Sequence, residues 1–249
     1  MLPSVIQREY DYAVLSELQG ARVLITGLTS SFGFDIARAF ADQGAHIILQ
    51  SPEDSPEMTE LAAVLAESSS DLRLFTTPLG CDDDARQLVQ TAVQDFGGVD
   101  TVINLVSVEA SDVRSLETAD DVEDLISKVL RQPLRLTEIA ANRMRLVWTE
   151  GMILNVVRVQ EAQGGRTMML ADMLKCELAH LTRGLAREWA ENGIRVNAVA
   201  PPSSVAAMAG DVQATDADLA TVALQLASRE GHSVSGHLLD AAGAAHRWC

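Results

Sequence analysis

The residues best suited to chemistry gather in one stretch, Gly151–Lys175, GMILNVVRVQEAQGGRTMMLADMLK. An apolar run, Met152–Val157, ends at Arg158, and a helical pattern after it carries Asp172 and Lys175, one of two lysines in the chain. A lysine can bind an anion or depress the pKa of a neighbouring acid. An arginine is permanently charged and cannot serve as an acid or base. One helical turn before Lys175 stands Ala171, a methyl group, and Asp172 beside it points about 100° further round the helix. Cations and a carboxylate are therefore present, but neither Arg158 nor Ala171 can relay a proton. The Gly164-Gly165 pair reads as a turn rather than a phosphate cradle, because no strand directly precedes it. A second glycine loop, Thr26–Gly33, does follow an apolar run and precede a helical pattern, the arrangement that seats a pyrophosphate at a helix N-terminus.

These residues need elements to hold them. Ala21–Gly27 is a near-continuous apolar run closed by glycine, as expected for a parallel strand buried on both faces. A helix is expected over 31–44, a strand over 46–50, a helix over 56–68 opened by Pro56, and a third strand over 72–79. A helix with acids in its first turn follows over 82–96, then a strand over 99–106 and a helix over 120–145 with a bend at Pro133. The strand 152–157, helix 167–192, strand 194–200, helix 216–227 and strand 235–240 complete the pattern. Alternation of this kind specifies βαβ units. The expected fold is α/β: a single Rossmann-type, doubly wound domain with a seven-stranded parallel sheet and helices on both faces. Residues 1–20 form an N-terminal extension, 21–243 the domain and 244–249 a C-terminal tail in which Trp248 is a candidate anchor.

Composition narrows the partners. The formal charge is −16, which repels phosphate backbones and anionic lipid, so neither nucleic acid nor a membrane surface is expected. No apolar run reaches the roughly 18 residues of a membrane span, and MLPSVIQREYDYAVL does not read as a signal peptide. Cys81, Cys176 and Cys249 are odd in number and form no CxxC, which suits a reduced cytoplasm. The five histidines show no ligand spacing, so no metal site is expected.

Several stretches together resemble the short-chain dehydrogenase/reductase family: ITGLTSSFGFDIARAFADQGAHIIL (25–49), FGGVDTVINLVS (96–107), the block 151–175, LTRGLAREWAENGIRVNAVAPP (181–202) and SGHLLDAAG (235–243). The resemblance implies a Rossmann fold and NAD(P)-linked alcohol chemistry carried by a serine, a tyrosine and a lysine, with an asparagine nearby. Position by position, this chain departs from that set. The loop runs Gly27 to Gly33 but carries Ser31 where the family has its middle glycine. The second strand ends Gln50-Ser51 with no basic residue between Arg38 and Arg73, which disfavours NADP; Glu53 reads as a loop charge rather than a ribose ligand. Gly80 replaces the aspartate that meets adenine. Asn104 is kept, but Ser107 replaces the glycine that gives the nicotinamide room. Val129 or Leu130 stands for the asparagine, Arg158 for the serine and Ala171 for the tyrosine; only Lys175 remains.

The resemblance with these losses implies a non-catalytic subunit that binds no cofactor itself and assembles with an active paralogous dehydrogenase subunit holding NAD, as a heterotetramer of two of each. Assembly faces are expected on the helix 167–192 (Met169, Met173, Cys176, His180) and the helix 120–145 (Ile126, Leu130, Leu134, Ile139). Two other readings stand beside it: a stand-alone ligand-binding or sensor protein using the old cleft, and a dehydrogenase with catalysis relocated to Arg158, Asp172 and Lys175.

Overall fold

The β1 strand (Arg22–Thr26) lies inside the sheet, and its residues alternate between two cores. In this computed structural model, which describes residues 15–160, 165–201 and 214–240, Val23 and Ile25 face one cluster while Leu24 faces the other. That is the period-2 pattern of a strand covered on both sides. The order of elements is β1, α1 (Phe34–Asp42), β2 (His46–Gln50), α2 (Pro56–Ala66), β3 (Asp71–Phe75), α3 (Asp82–Phe96), β4 (Thr101–Val108), α4 (Ala110–Arg114), α5 (Ala119–Leu146), β5 (Gly151–Val159), α6 (Gly165–Trp189), β6 (Ile194–Ala200), α7 (Asp216–Ala227) and β7 (Leu238–Asp240). The seven strands pair in parallel in the order β3-β2-β1-β4-β5-β6-β7.

Helices α1, α2 and α7 cover one face of the sheet through Phe40, Leu65 and Leu224. Helices α3, α5 and α6 cover the other through Leu88, Ala141 and Leu185. A third apolar cluster lies toward the carboxyl ends of β4 and β5, where Val129, Leu170 and Leu174 pack with Val157 and Val159. The strand order reverses between β1 and β4, so the crevice past their carboxyl ends is where this fold holds a ligand.

Several boundaries differ from expectation for physical reasons. The third strand stops at Phe75, because the Thr77 carbonyl bonds the Gln50 side chain and Pro78 offers no N–H to a ladder. Helix α1 starts at Phe34, not Ser31: Thr29 and Phe32 exchange backbone bonds and Gly33 is left-handed at φ 95. The last strand begins at Leu238, after Gly236 turns the chain at φ 79. Helix α4 was not expected; it opens on a capping box between Glu109 and Asp112. Helix α5 runs as one assigned helix through Pro133, whose missing N–H leaves no intrahelical donor for the Val129 carbonyl. The extension enters the core early: Leu18, in a single 3-10 turn, is buried with α1.

The assembly faces need one correction. On α5, Ile126 and Leu130 are buried inside this chain, in the cluster with Leu174 and Leu178, and Leu134 and Ile139 are half-buried against the core. Ile126 and Leu130 are thus covered by this chain's own core. On α6, Leu174, Leu178 and Leu185 are buried, while Met169, Met173, Cys176 and His180 are exposed. Among the described residues no helix is long and apolar enough to cross a membrane. Trp248 and the tail, the first fourteen residues, and Gly164 of the diglycine lie outside the described residues.

Candidate active site

The crevice between the ends of β1 and β4 is closed by residues of the chain itself. Gly27 and Gly33 let the loop after β1 press against β4: a Cβ on Gly27 would sit 2.1 Å from the Leu105 carbonyl oxygen, and one on Gly33 2.2 Å from the Leu105 Cδ1. Both glycines have positive φ, 75 and 95. The loop's apolar side chains, Leu28 and Phe32, turn inward and are buried. Ser31 is exposed, its hydroxyl 3.3 Å from that of Thr29.

What matters for a phosphate is where the loop's N–H groups go. The Gly33 N–H donates to Asp216 Oδ2 at 2.9 Å. The Ser30 N–H donates to Glu53 Oε2 at 2.9 Å, and the Gly27 N–H to Gln50 Oε1 at 2.9 Å. Leu28 N–H bonds the Gln50 carbonyl. Two carboxylates of this chain thus hold N–H groups of the glycine loop. Glu53 is therefore not a free loop charge; it caps the glycine loop, with its own N–H on Ser51 Oγ.

Arg158, near the end of β5, completes the closure. Its Nη1 donates to Asp216 Oδ1 at 3.2 Å and its Nη2 to the Ser31 carbonyl at 3.0 Å. Its guanidinium carbon lies 4.0 Å from the centre of the Phe32 ring, a cation–π contact. Burial pushes the Arg158 pKa down, and the charges of Asp216 and Glu109 pull it back up. It remains a cation. The Nε of Arg158 is buried without a hydrogen-bond partner among the described residues.

The remaining site positions lie around this centre. Ala171 is buried. Val129 sits in the apolar cluster with Leu170 and Leu174. Lys175 is ion-paired with Asp240 at the end of β7. Ser107, opposite Arg158 in the sheet register, approaches Gln160, whose amide also bonds Glu109. Asn104 does not point at a ligand. Its side chain bonds Thr26 on one side and Asn155 on the other, and Thr137 adds a third link to Asn155. Gly80 lies in the turn before α3, where its N–H and that of Cys81 are taken by Asp84. Arg38 pairs with Asp42 within α1. A cavity of about 400 Å³ lies at the opposite edge of the sheet, lined by strand-start residues such as Thr101, Gly151 and Arg195, and is remote from this chemistry. Among the described residues no group of His, Cys, Asp or Glu could hold a metal.

Asp216 is not singled out by sequence, and Gln50 reads only as the end of the second strand. The pattern Thr215 to Asp218 does signal a helix start. That the first acid of that helix meets Gly33, 183 residues away, is a tertiary fact with no local sign. Asp216 and Glu53 thus both accept from N–H groups of the loop after β1.

The family described as short chain dehydrogenase matches residues 21–217. The chain is 33% identical over 189 residues to Nodulation protein G of Rhizobium meliloti (strain 1021), covering 74% of each. It is 31% identical over 202 residues to the chloroplastic NADPH-dependent aldehyde reductase 1 of Arabidopsis thaliana, covering 77% of this chain and 68% of that protein. In fold it is similar to a short chain dehydrogenase from Mycobacterium smegmatis, with TM-score 0.77, 21% identity, and coverage of 96% and 98%. It is also similar to NADH-dependent reductase A1-R', solved with NAD, with TM-score 0.74, 24% identity, and coverage of 94% and 99%.

Proposed function

The chain belongs to the short-chain dehydrogenase family, and within that family we propose that it is a non-catalytic subunit, supporting an active paralogous subunit that oxidises a β-hydroxyacyl-CoA with NAD. One observation carries the reading. The residue at the family's serine position, Arg158, is spent on an internal pair with Asp216, and the residue at the tyrosine position, Ala171, is a buried methyl. Oxidation of an alcohol needs a group that takes the hydroxyl proton as hydride leaves. Neither residue can, and Lys175, held by Asp240, has no phenol to tune.

The assembly we favour is a heterotetramer of two chains of each kind. The exposed Met169, Met173, Cys176 and His180 on α6 support a role for that helix in contact with the partner. In length and in its losses at Ser31, Gly80, Arg158 and Ala171, the chain resembles the inactive subunit of the two-subunit 2-[hydroxy(phenyl)methyl]succinyl-CoA dehydrogenase of anaerobic toluene degradation. NAD is then held by the partner.

A second reading is an NAD(P)-linked oxidoreductase in its own right. It is favoured by similar proteins whose names are those of a reductase and a dehydrogenase, in Arabidopsis thaliana and in Daucus carota. It requires Arg158, Asp172 and Lys175 to take over the chemistry, and two of these are already ion-paired.

Purification of the chain alone and together with its genomic neighbour, followed by calorimetry with NAD, separates the two. The expected result is co-elution with a dehydrogenase that carries a full Ser-Tyr-Lys set, and no heat with NAD for the isolated chain. Tight NAD binding by the isolated chain would overturn the first reading.

A further inference from the structure

We propose that the chain carries its own plug in the dinucleotide seat: the Asp216 carboxylate, steadied by Arg158, stands where a pyrophosphate would stand at the N-terminus of α1. This rests on the non-catalytic reading and gives it a physical device.

The seat is made by α1, whose N-cap residue Gly33 has no side chain to cap it. Asp216 supplies the missing acceptor from the first turn of α7, itself a helix of 12 residues. One carboxylate therefore lies at the N-termini of two helices, both favouring negative charge there. A small anion at that point is what the fold was shaped to hold. Here it is delivered by the chain, at an effective concentration that a dissolved ligand must beat.

Arg158 makes the plug more than a cap. It pairs the outer oxygen of Asp216, bonds the Ser31 carbonyl and covers the Phe32 ring, so the mouth of the seat is filled by a guanidinium. Glu53 closes the neighbouring N–H of Ser30. A diphosphate approaching the loop would meet two carboxylates and find its donors engaged. Without Asp216, the same Arg158 would become an unpaired cation beside a free Gly33 N–H. The seat would then attract the anion it now excludes.

Calorimetry with inorganic pyrophosphate and with NAD, on the full chain and its variants, tests this. Wild type is expected to bind pyrophosphate only weakly and to give no heat with NAD. Asp216→Ala is expected to bind pyrophosphate with an affinity raised on the order of tenfold or more, the scale of one lost like charge and one released charge-assisted bond. Arg158→Ala, which leaves the carboxylate on Gly33, is expected to gain nothing. Should Asp216→Ala not fold, Asp216→Asn keeps an acceptor for Gly33 without the charge, and its gain over wild type is read instead. Wild type binding pyrophosphate as well as the folded Asp216 variant, or a folded variant with no gain, would overturn the plug. Tight NAD binding by wild type would defeat the non-catalytic reading. Wild type silent toward NAD with an unchanged Asp216 variant would defeat the plug alone.

Discussion

At the scale of single residues, this site has been refilled rather than only emptied. Ala171 is 1% exposed, so restoring a tyrosine there adds a ring to a packed place. The double variant Arg158→Ser with Ala171→Tyr is expected to lose about 1–3 kcal/mol of stability in urea unfolding and to show no NAD-dependent alcohol oxidation above background. Full activity in that variant would mean that the cofactor seat is open. A different residue is strained with no site near it. Trp148, in the turn between α5 and β5, has φ 55 and is 95% exposed. A bulky side chain in the left-handed region is unfavourable, and this one gains no packing in return. Trp148→Gly is expected to raise stability by about 1 kcal/mol in thermal unfolding. A lower melting temperature would mean that the indole is held by contacts beyond this chain.

At the scale of elements, a buried polar thread ties strands to helix. Thr26 on β1, Asn104 on β4, Asn155 on β5 and Thr137 on α5 share three hydrogen bonds, two of them accepted by Asn155 Oδ1. Asn155→Ala is expected to cost about 1–3 kcal/mol, measured by urea unfolding, because Asn104 and Thr137 lose a buried acceptor. Helix starts supply a second prediction. Cys81's side chain and N–H, with the Gly80 N–H, hold Asp84 below the usual carboxylate pKa. The backbone and hydroxyl of Thr118, with the Glu117 N–H, do the same for Asp121. Folding lowers both values, so the stabilisation is full above the unfolded pKa near 4 and is lost as pH falls through the lower folded values. The Asp84→Asn, Asp121→Asn double variant is expected to be less stable than wild type at pH 7 and to converge with it as pH falls through the lowered folded values, read as urea midpoints across pH.

At the scale of the whole molecule, the sheet and its helices were legible because hydrophobic period and helix starts are local signals. Strand β2 and helix α3 fall where the sequence put them, at 46–50 and 82–96. The shorter third strand and the late start of α1 were not legible, since they follow from the Gln50 side chain and the Gly33 turn meeting distant partners. The site divides in the same way. The departures at Ser31, Arg158 and Ala171 follow from the resemblance to the family pattern. That Arg158 faces Asp216 does not, because nothing local in β5 or α7 encodes their meeting. The α5 face proposed for a partner shows the converse error: an apolar stripe at helical spacing does not say which neighbour covers it, and Ile126 and Leu130 turn out to serve this chain's own core.

Asp216's place between α1 and α7 also bears on how such a protein endures in the cell. A dinucleotide enzyme draws part of its stability from mass action, about 2.7 kcal/mol when ligand stands at a hundred times its Kd. Its folded population then rises and falls with the nucleotide pool. On the proposed plug, this chain has no such dependence. Its melting temperature is expected to stay the same with and without millimolar NAD, measured by scanning calorimetry, and a rise of several degrees would contradict it. Such a subunit would keep its shape through swings in redox state, and in a mixed assembly it would be the member whose fold does not respond to starvation of cofactor.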